Sequence, residues 1–120
     1  MRRDALGAWG EERACELLKK NGLKIVERNY RCPSGEVDII ARDRKTLVFV
    51  EVKTRASEDY GEPSRAVDRA KQRHIPRTAL YYIARHNWED KPVRFDVVEV
   101  LPDEVRHIPD AFDGSALAGR

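Results

Sequence analysis

Residues 47–55, LVFVEVKTR, run from Leu47, Val48, Phe49 and Val50 straight into Glu51, Val52 and Lys53 with no turn signal between them. Apolar, β-branched and aromatic residues at this density read as the central strand of a sheet. Side chains alternate along a strand, so Leu47, Phe49, Glu51, Lys53 and Arg55 share one face, and Val48, Val50, Val52 and Thr54 the other. A carboxylate and an ammonium therefore stand side by side at the end of a core strand, where each needs a reason to be.

The flanking segments supply the layers that such a strand requires. From about Asp4 to Asn21, Leu6, Trp9, Ala14, Leu17 and Leu18 recur at helical spacing, with Asp4 placed to cap the start and Gly22 to close the end. LKIVERNYR reads as a polar-edged strand, CPSG as a turn, and EVDIIAR as a strand with Val37, Ile39 and Ala41 on one face and Asp38 and Ile40 on the other. The short turns CPSG and DRKT make these strands and LVFVEVKTR an antiparallel meander. A second helix is predicted from Ser64 to about His86, capped by Ser64. Its row Val67, Ala70, Ile75, Ala79, Tyr82 and Ile83 continues past Pro76, which gives one bent helix or two stacked ones. PVRFDVVEV follows as a strand apolar on both faces, then a short VRHI segment. The class is α/β, a mixed central sheet flanked by helices.

A chain of 120 residues is expected to form one domain, here residues 1–112, with 113–120 (DGSALAGR) as a flexible C-terminal tail. With 23 basic against 21 acidic residues the net charge is only +2, so bulk electrostatics does not announce a polyanion partner. Between Arg65 and Arg94 bases outnumber acids, which reads equally as a basic helix face or a solvated one. Cys15 and Cys32 have neither CxxC spacing nor a histidine cluster, which argues against zinc and a disulfide framework and for a reducing compartment. No run approaches the roughly 18 apolar residues of a membrane span, so the expected location is cytoplasmic, without membrane contact.

The meander brings a second acid toward the first. A hairpin through DRKT sets Asp38 beside Glu51 or one pair away, and Glu11 shares a helical row with Ala14, Cys15 and Leu18 and so leans toward the sheet. Buried carboxylates that converge repel each other and cost several kcal/mol each to desolvate. A hard divalent cation offsets this, because Mg²⁺ takes oxygen ligands from one or two carboxylates plus waters and phosphate. Lys53 beside such an ion could orient a nucleophilic water or neutralise developing charge. The alternative is a Glu51–Lys53 ion pair with Asp38 solvated at an edge, and spacing alone does not separate the two.

GEVDII followed by VFVEVKTR resembles the Asp…Glu-x-Lys signature of the PD-(D/E)XK nuclease superfamily. GAWGEERA, ERNYRCPSGEVD, GEPSRAV, RFDVVEV and HIPDAFD make nearly the whole chain similar to the YraN-like family, itself similar to archaeal Holliday-junction resolvases. The resemblance implies a restriction-endonuclease-like αβββαβ core and a Mg²⁺- (or Mn²⁺-) dependent endonuclease acting on DNA, branched or otherwise structured. Carried over residue by residue, it implies Asp38, Glu51 and the Val52 carbonyl as metal ligands, Lys53 as the catalytic lysine and Glu11 as the auxiliary acid. No proline precedes Asp38, so the "PD" half is not literal here. A homodimer is expected by analogy only. The alternative is a non-catalytic nucleic-acid-binding or adaptor module that keeps the fold.

Around this set, Arg28, Tyr30 and Arg31 have the composition for phosphate contact and base stacking. Lys71 borders the apolar row of the second helix and is a candidate for the site rim and for nucleic-acid contact, or snorkels to solvent. Glu36 is an exposed strand-start acid or a water-mediated support of the metal, and Tyr60 and Gly61 form an ordinary connection or a flap. His74, His86 and His107 are scattered without mutual spacing and are assigned no metal or proton-transfer role, and Trp9 and Trp88 are assigned to packing.

Overall fold

In the computed structural model, residues 5–55 and 69–112 are described, with the backbone alone for 69–74. The expectations placed on Asp4, Tyr60, Gly61, Ser64, Val67, the Lys71 side chain and residues 113–120 lie outside the described residues. Seven elements follow in order: α1 (Ala5–Lys20), β1 (Lys24–Cys32), β2 (Gly35–Asp43), β3 (Thr46–Thr54), α2 (Arg69–Arg85), β4 (Val93–Leu101) and β5 (Glu104–Ile108). The expected αβββαβ order is present, and VRHI adds a final strand.

Both helices end in the same way for a shared reason. The Leu23 N–H donates to Leu18 O and the Gly22 N–H to Lys19 O, each at 2.9 Å, while Gly22 takes a φ of 93°. This is a Schellman closure. Its left-handed residue is least strained as glycine, and Leu18 and Leu23 bury together beneath it. At the end of α2, Asn87 (φ 56°) takes the left-handed position, and the Trp88 N–H donates to Ile83 O at 3.0 Å. Between its ends α2 runs as one helix through the buried Pro76.

The five strands form one sheet in the order β1-β2-β3-β4-β5, antiparallel except for the parallel pair β3–β4. β3 is central, as its composition demands. Its Val48 and Val50 pack under α1 with Ile39, Ala41, Val98, Val100, Ala14, Cys15 and Leu18, whereas Leu47 and Phe49 pack under α2 with Ile40, Phe95, Val97, Ile75, Ala79 and Tyr82. Phe49 lies edge-on to Tyr82 and stacked on Phe95, with ring centroids 5.9 Å apart in each case. No described helix is long and apolar enough to cross a membrane.

Two expectations about faces are corrected. Val37 does not share a face with Ile39 and Ala41, because it packs on the α2 side with its cross-strand partner Tyr30. The inversion falls level with Asn29, a left-handed residue (φ 56°) inside β1, within the register that runs from Glu27↔Ile40 to Cys32↔Gly35 after a shift between Ile25 and Glu27. Trp9, assigned to packing, is 39% exposed, with the Arg13 guanidinium 5.4 Å above its ring. The buried face of α1 runs instead through Gly10, Glu11, Ala14, Cys15 and Leu18.

Candidate active site

The β2–β3 ladder stops at Ile39↔Val50. One step further the register sets Asp38 level with Glu51, and Glu51 is in turn paired with Val97 on β4. On the other side, the flanking pairs Arg28↔Ile39 and Tyr30↔Val37 set Asn29 level with Asp38. Asn29, Asp38 and Glu51 thus stand in one row across the sheet, at the level where the faces of β1 and β2 invert.

Asp38 does not simply project from this row. Its Oδ2 accepts the Val52 N–H at 2.8 Å, so the carboxylate is fixed on the main chain between Glu51 and Lys53. A carboxylate that accepts a backbone N–H is held in one orientation. Glu51 is 3% exposed, whereas Asp38 and Lys53 are half-buried. By alternation Glu51 and Lys53 continue the Leu47–Phe49 row, as the sequence predicts.

Glu11 arrives from the α1 side, and Gly10 is what lets it come close. A Cβ on Gly10 would lie 1.9 Å from Thr54 Oγ1, so the helix axis approaches the end of β3 to a distance that no side chain permits. Glu11 is 3% exposed, and its Oε1 accepts from Arg28 Nη2 at 3.0 Å and from Asn29 Nδ2 at 3.3 Å. The guanidinium also donates from Nη1 to Glu12 Oε1 at 3.2 Å. The Glu11 carboxylate holds Arg28 protonated above the usual arginine value, against a smaller opposing effect of burial.

Asp38 and Glu51 share a row, and Glu11 is bound by Arg28 and by Asn29, the residue level with Asp38. Among the described residues no group of three or more His, Cys, Asp or Glu side chains could hold a metal ion. The donors brought together, two carboxylates and the neighbouring main-chain oxygens, fit a hydrated hard cation such as Mg²⁺, which keeps several waters, and do not fit zinc.

The other candidate residues separate as well. Tyr30 is withdrawn as a base-stacking residue, because it is 9% exposed and its ring meets Tyr82 edge-on at 5.2 Å. Arg31 pairs with Glu36 at 3.2 Å on the surface.

Sequence reading missed Glu99 and Asp96. Glu99 is 1% exposed, is the in-register partner of Lys53 on β4, and accepts from Arg55 Nε at 2.6 Å. Asp96 is fully buried and accepts from both Nε and Nη2 of Arg94 at 2.9 Å, from His107 Nε2 at 2.7 Å and from the Asp110 N–H at 2.9 Å. Asn21 Nδ2 donates to His107 Nδ1 at 3.0 Å, which leaves Nε2 to carry the proton given to Asp96. Burial pushes the Asp96 carboxyl up, but His107, Arg94 and the Asp110 N–H outweigh it and hold the group below the usual range. A charged residue in an otherwise apolar strand, as in RFDVVEV, was the available signal for both.

The archaeal Holliday-junction resolvase Hjc of Archaeoglobus fulgidus, in a 1.6 Å structure, aligns with a TM-score of 0.48 at 17% identity over 93% of this chain and 92% of that one. A UPF0102 protein of Caldicellulosiruptor saccharolyticus is 53% identical over 100 residues, covering 83% of this chain and 85% of its own. Another, from Geobacter metallireducens, is 47% identical over 114 residues, covering 91% and 93%. The model of "Uncharacterised protein family UPF0102" matches residues 10–100, a span that holds Glu11, Asp38, Glu51 and Lys53, and the chain belongs to that family.

Proposed function

We propose that this protein is a divalent-metal-dependent endonuclease that hydrolyses DNA phosphodiester bonds. The observation that carries the reading is the row at the end of the β2–β3 ladder, where Asp38 on β2 stands level with Glu51 and is fixed on the Val52 N–H, with Lys53 following Glu51 on β3. A bound Mg²⁺ or Mn²⁺ would lower the pKa of a coordinated water and stabilise charge on a phosphoryl oxygen. Asp38, Glu51 and the Val52 carbonyl would hold it. Asp38 is fixed for that task before any ligand arrives. Lys53 supplies the fixed positive charge beside the reacting phosphate, and Glu99, its buried register partner, keeps the lysine end of β3 anchored through Arg55. A branched or otherwise structured DNA is the proposed substrate class. A pair of copies is the proposed working unit, because symmetric cutting of two strands calls for two sites.

The test is a panel of single-stranded, duplex, flap and four-way-junction DNAs with Mn²⁺ or Mg²⁺, run beside ion-binding titrations. Wild type is expected to cut at least one substrate. Lys53→Ala should lower cleavage by roughly 10²–10³-fold with ion binding kept, and Asp38→Ala or Glu51→Ala should lose both. A wild type that binds no ion and cuts nothing sinks the enzyme reading. One observation favours a second reading, a DNA-binding module without cleavage: the Glu11 carboxylate is engaged by Arg28 and Asn29. Tight DNA binding with no cleavage on any substrate would select it.

A further inference from the structure

Arg28 is committed to the acidic residues of α1. Its two terminal nitrogens divide between Glu11 (3.0 Å) and Glu12 (3.2 Å), one acid buried and one exposed. The Arg28 side chain is 39% exposed, so it reaches solvent while it pairs with a carboxylate that is 3% exposed. It sits on β1 directly opposite Ile39, one step from the row of Asp38 and Glu51. A guanidinium at such a rim binds a phosphate diester as well as it binds a carboxylate, with the same forked geometry.

We propose that Arg28 is a regulatory cation that exchanges between Glu11 with Glu12 and a phosphate of bound DNA. With no nucleic acid present, Arg28 neutralises the two helix acids, which would otherwise repel a polyanion. When DNA docks, the guanidinium transfers to a backbone phosphate, and the Glu11 carboxylate, still oriented by Asn29, is left as an anion beside the proposed metal row. DNA binding and completion of the acidic site are then one event, so the site reaches full negative charge only when substrate is present. The inference rests on the nuclease reading for its purpose, but its first test needs neither metal nor cleavage.

The experiment is a double-mutant cycle on DNA affinity, by fluorescence anisotropy with a labelled four-way junction and a labelled duplex in EDTA. Glu11→Gln frees Arg28 and should tighten binding about fivefold, and Glu12→Gln, on the exposed partner, should tighten it about twofold. In an Arg28→Gln background both gains should disappear, and Arg28→Gln alone should reduce the salt slope by about one ion. If Glu11→Gln tightens DNA binding equally with and without Arg28, the effect is simple removal of negative charge and the exchange is refuted. Circular dichroism melts accompany each variant. Because Glu12 is exposed, its arm reads out even if a change at buried Glu11 unfolds the chain.

A separate titration keeps the two readings apart. Arg28→Gln should bind Mn²⁺ about threefold more tightly than wild type in the absence of DNA, whereas Asp38→Ala should not bind it. Loss of Mn²⁺ binding in wild type overturns the metal site and leaves the DNA cycle to judge Arg28. Unchanged or weaker Mn²⁺ binding in Arg28→Gln, with wild type binding normally, overturns the exchange alone. Absence of DNA binding in every variant overturns both.

Discussion

Gly10→Ala tests how Glu11 is seated. The added Cβ would meet Thr54 Oγ1 at 1.9 Å and both Cβ and Cγ2 at 3.0 Å, where ordinary contact lies at 3.4–4 Å. Rotating Thr54 can turn its Cβ hydrogen toward the new methyl but leaves its Cβ at 3.0 Å, so the remaining relief must come from α1 lifting off β3. Overpacking of this kind costs about 1–3 kcal/mol. Alanine in place of glycine returns about 1 kcal/mol of helix propensity, and the net destabilisation expected is about 1 kcal/mol. Because opposing effects hide in that sum, the informative quantity is the coupling with Thr54→Ala, which deletes both colliding branches. Urea denaturation of wild type, both single variants and the double variant should give a coupling energy of about 1–2 kcal/mol, with the double variant more stable than additivity predicts. Additivity within about 0.5 kcal/mol would show that the helix does not rest on Thr54 and would remove the account of why glycine precedes Glu11.

Two further predictions concern buried titratable groups. The native Asp96 carboxyl titrates below its unfolded value of about 3.9, so its contribution is fully present above that pH and is lost as pH falls through the folded value. Asp96→Asn should flatten the acid limb of a stability–pH profile and cost about 3 kcal/mol at neutral pH by leaving Arg94 and His107 on a neutral amide; a limb of unchanged steepness refutes this. Burial pushes the Cys15 thiol up, against a partial opposing pull from Arg28, whereas Cys32 is half-buried. An alkylating reagent at pH 8 should therefore label Cys32 first and Cys15 only on unfolding, and equal rates in the native protein would contradict the burial.

The periodicity of this chain carried more than its chemistry did. Gly22 announced the end of α1, LVFVEVKTR announced the central strand, and the two-residue period placed Glu51 and Lys53 on the Phe49 side, because these features depend on neighbours in sequence. Asn29 was not legible as the inversion point. A left-handed residue inside a strand leaves no periodic trace except a mismatch, and EVDIIAR reads smoothly through it. Nor was Glu99 recognisable as the partner of Lys53, since the parallel β3–β4 register is set by α2 and the connection across it, not by either strand alone. The Arg28–Glu11 pair belongs to the same class: each residue suggested a role of its own, and only the fold showed that they pair.

The mixed pairing of β3 also orders the events of folding. Its contacts with β2 are made through a tight turn and are cheap to close, whereas its contacts with β4 wait for the whole crossover through α2. The hairpin that sets Asp38 level with Glu51 can therefore assemble while the other edge of the most apolar strand is still open. During that interval Val48, Phe49 and Val50 present a bare strand edge to other chains, the form of exposure that leads to strand addition. The charges at Glu51 and Lys53 end that sticky stretch, in the flanking position where charged residues limit strand addition.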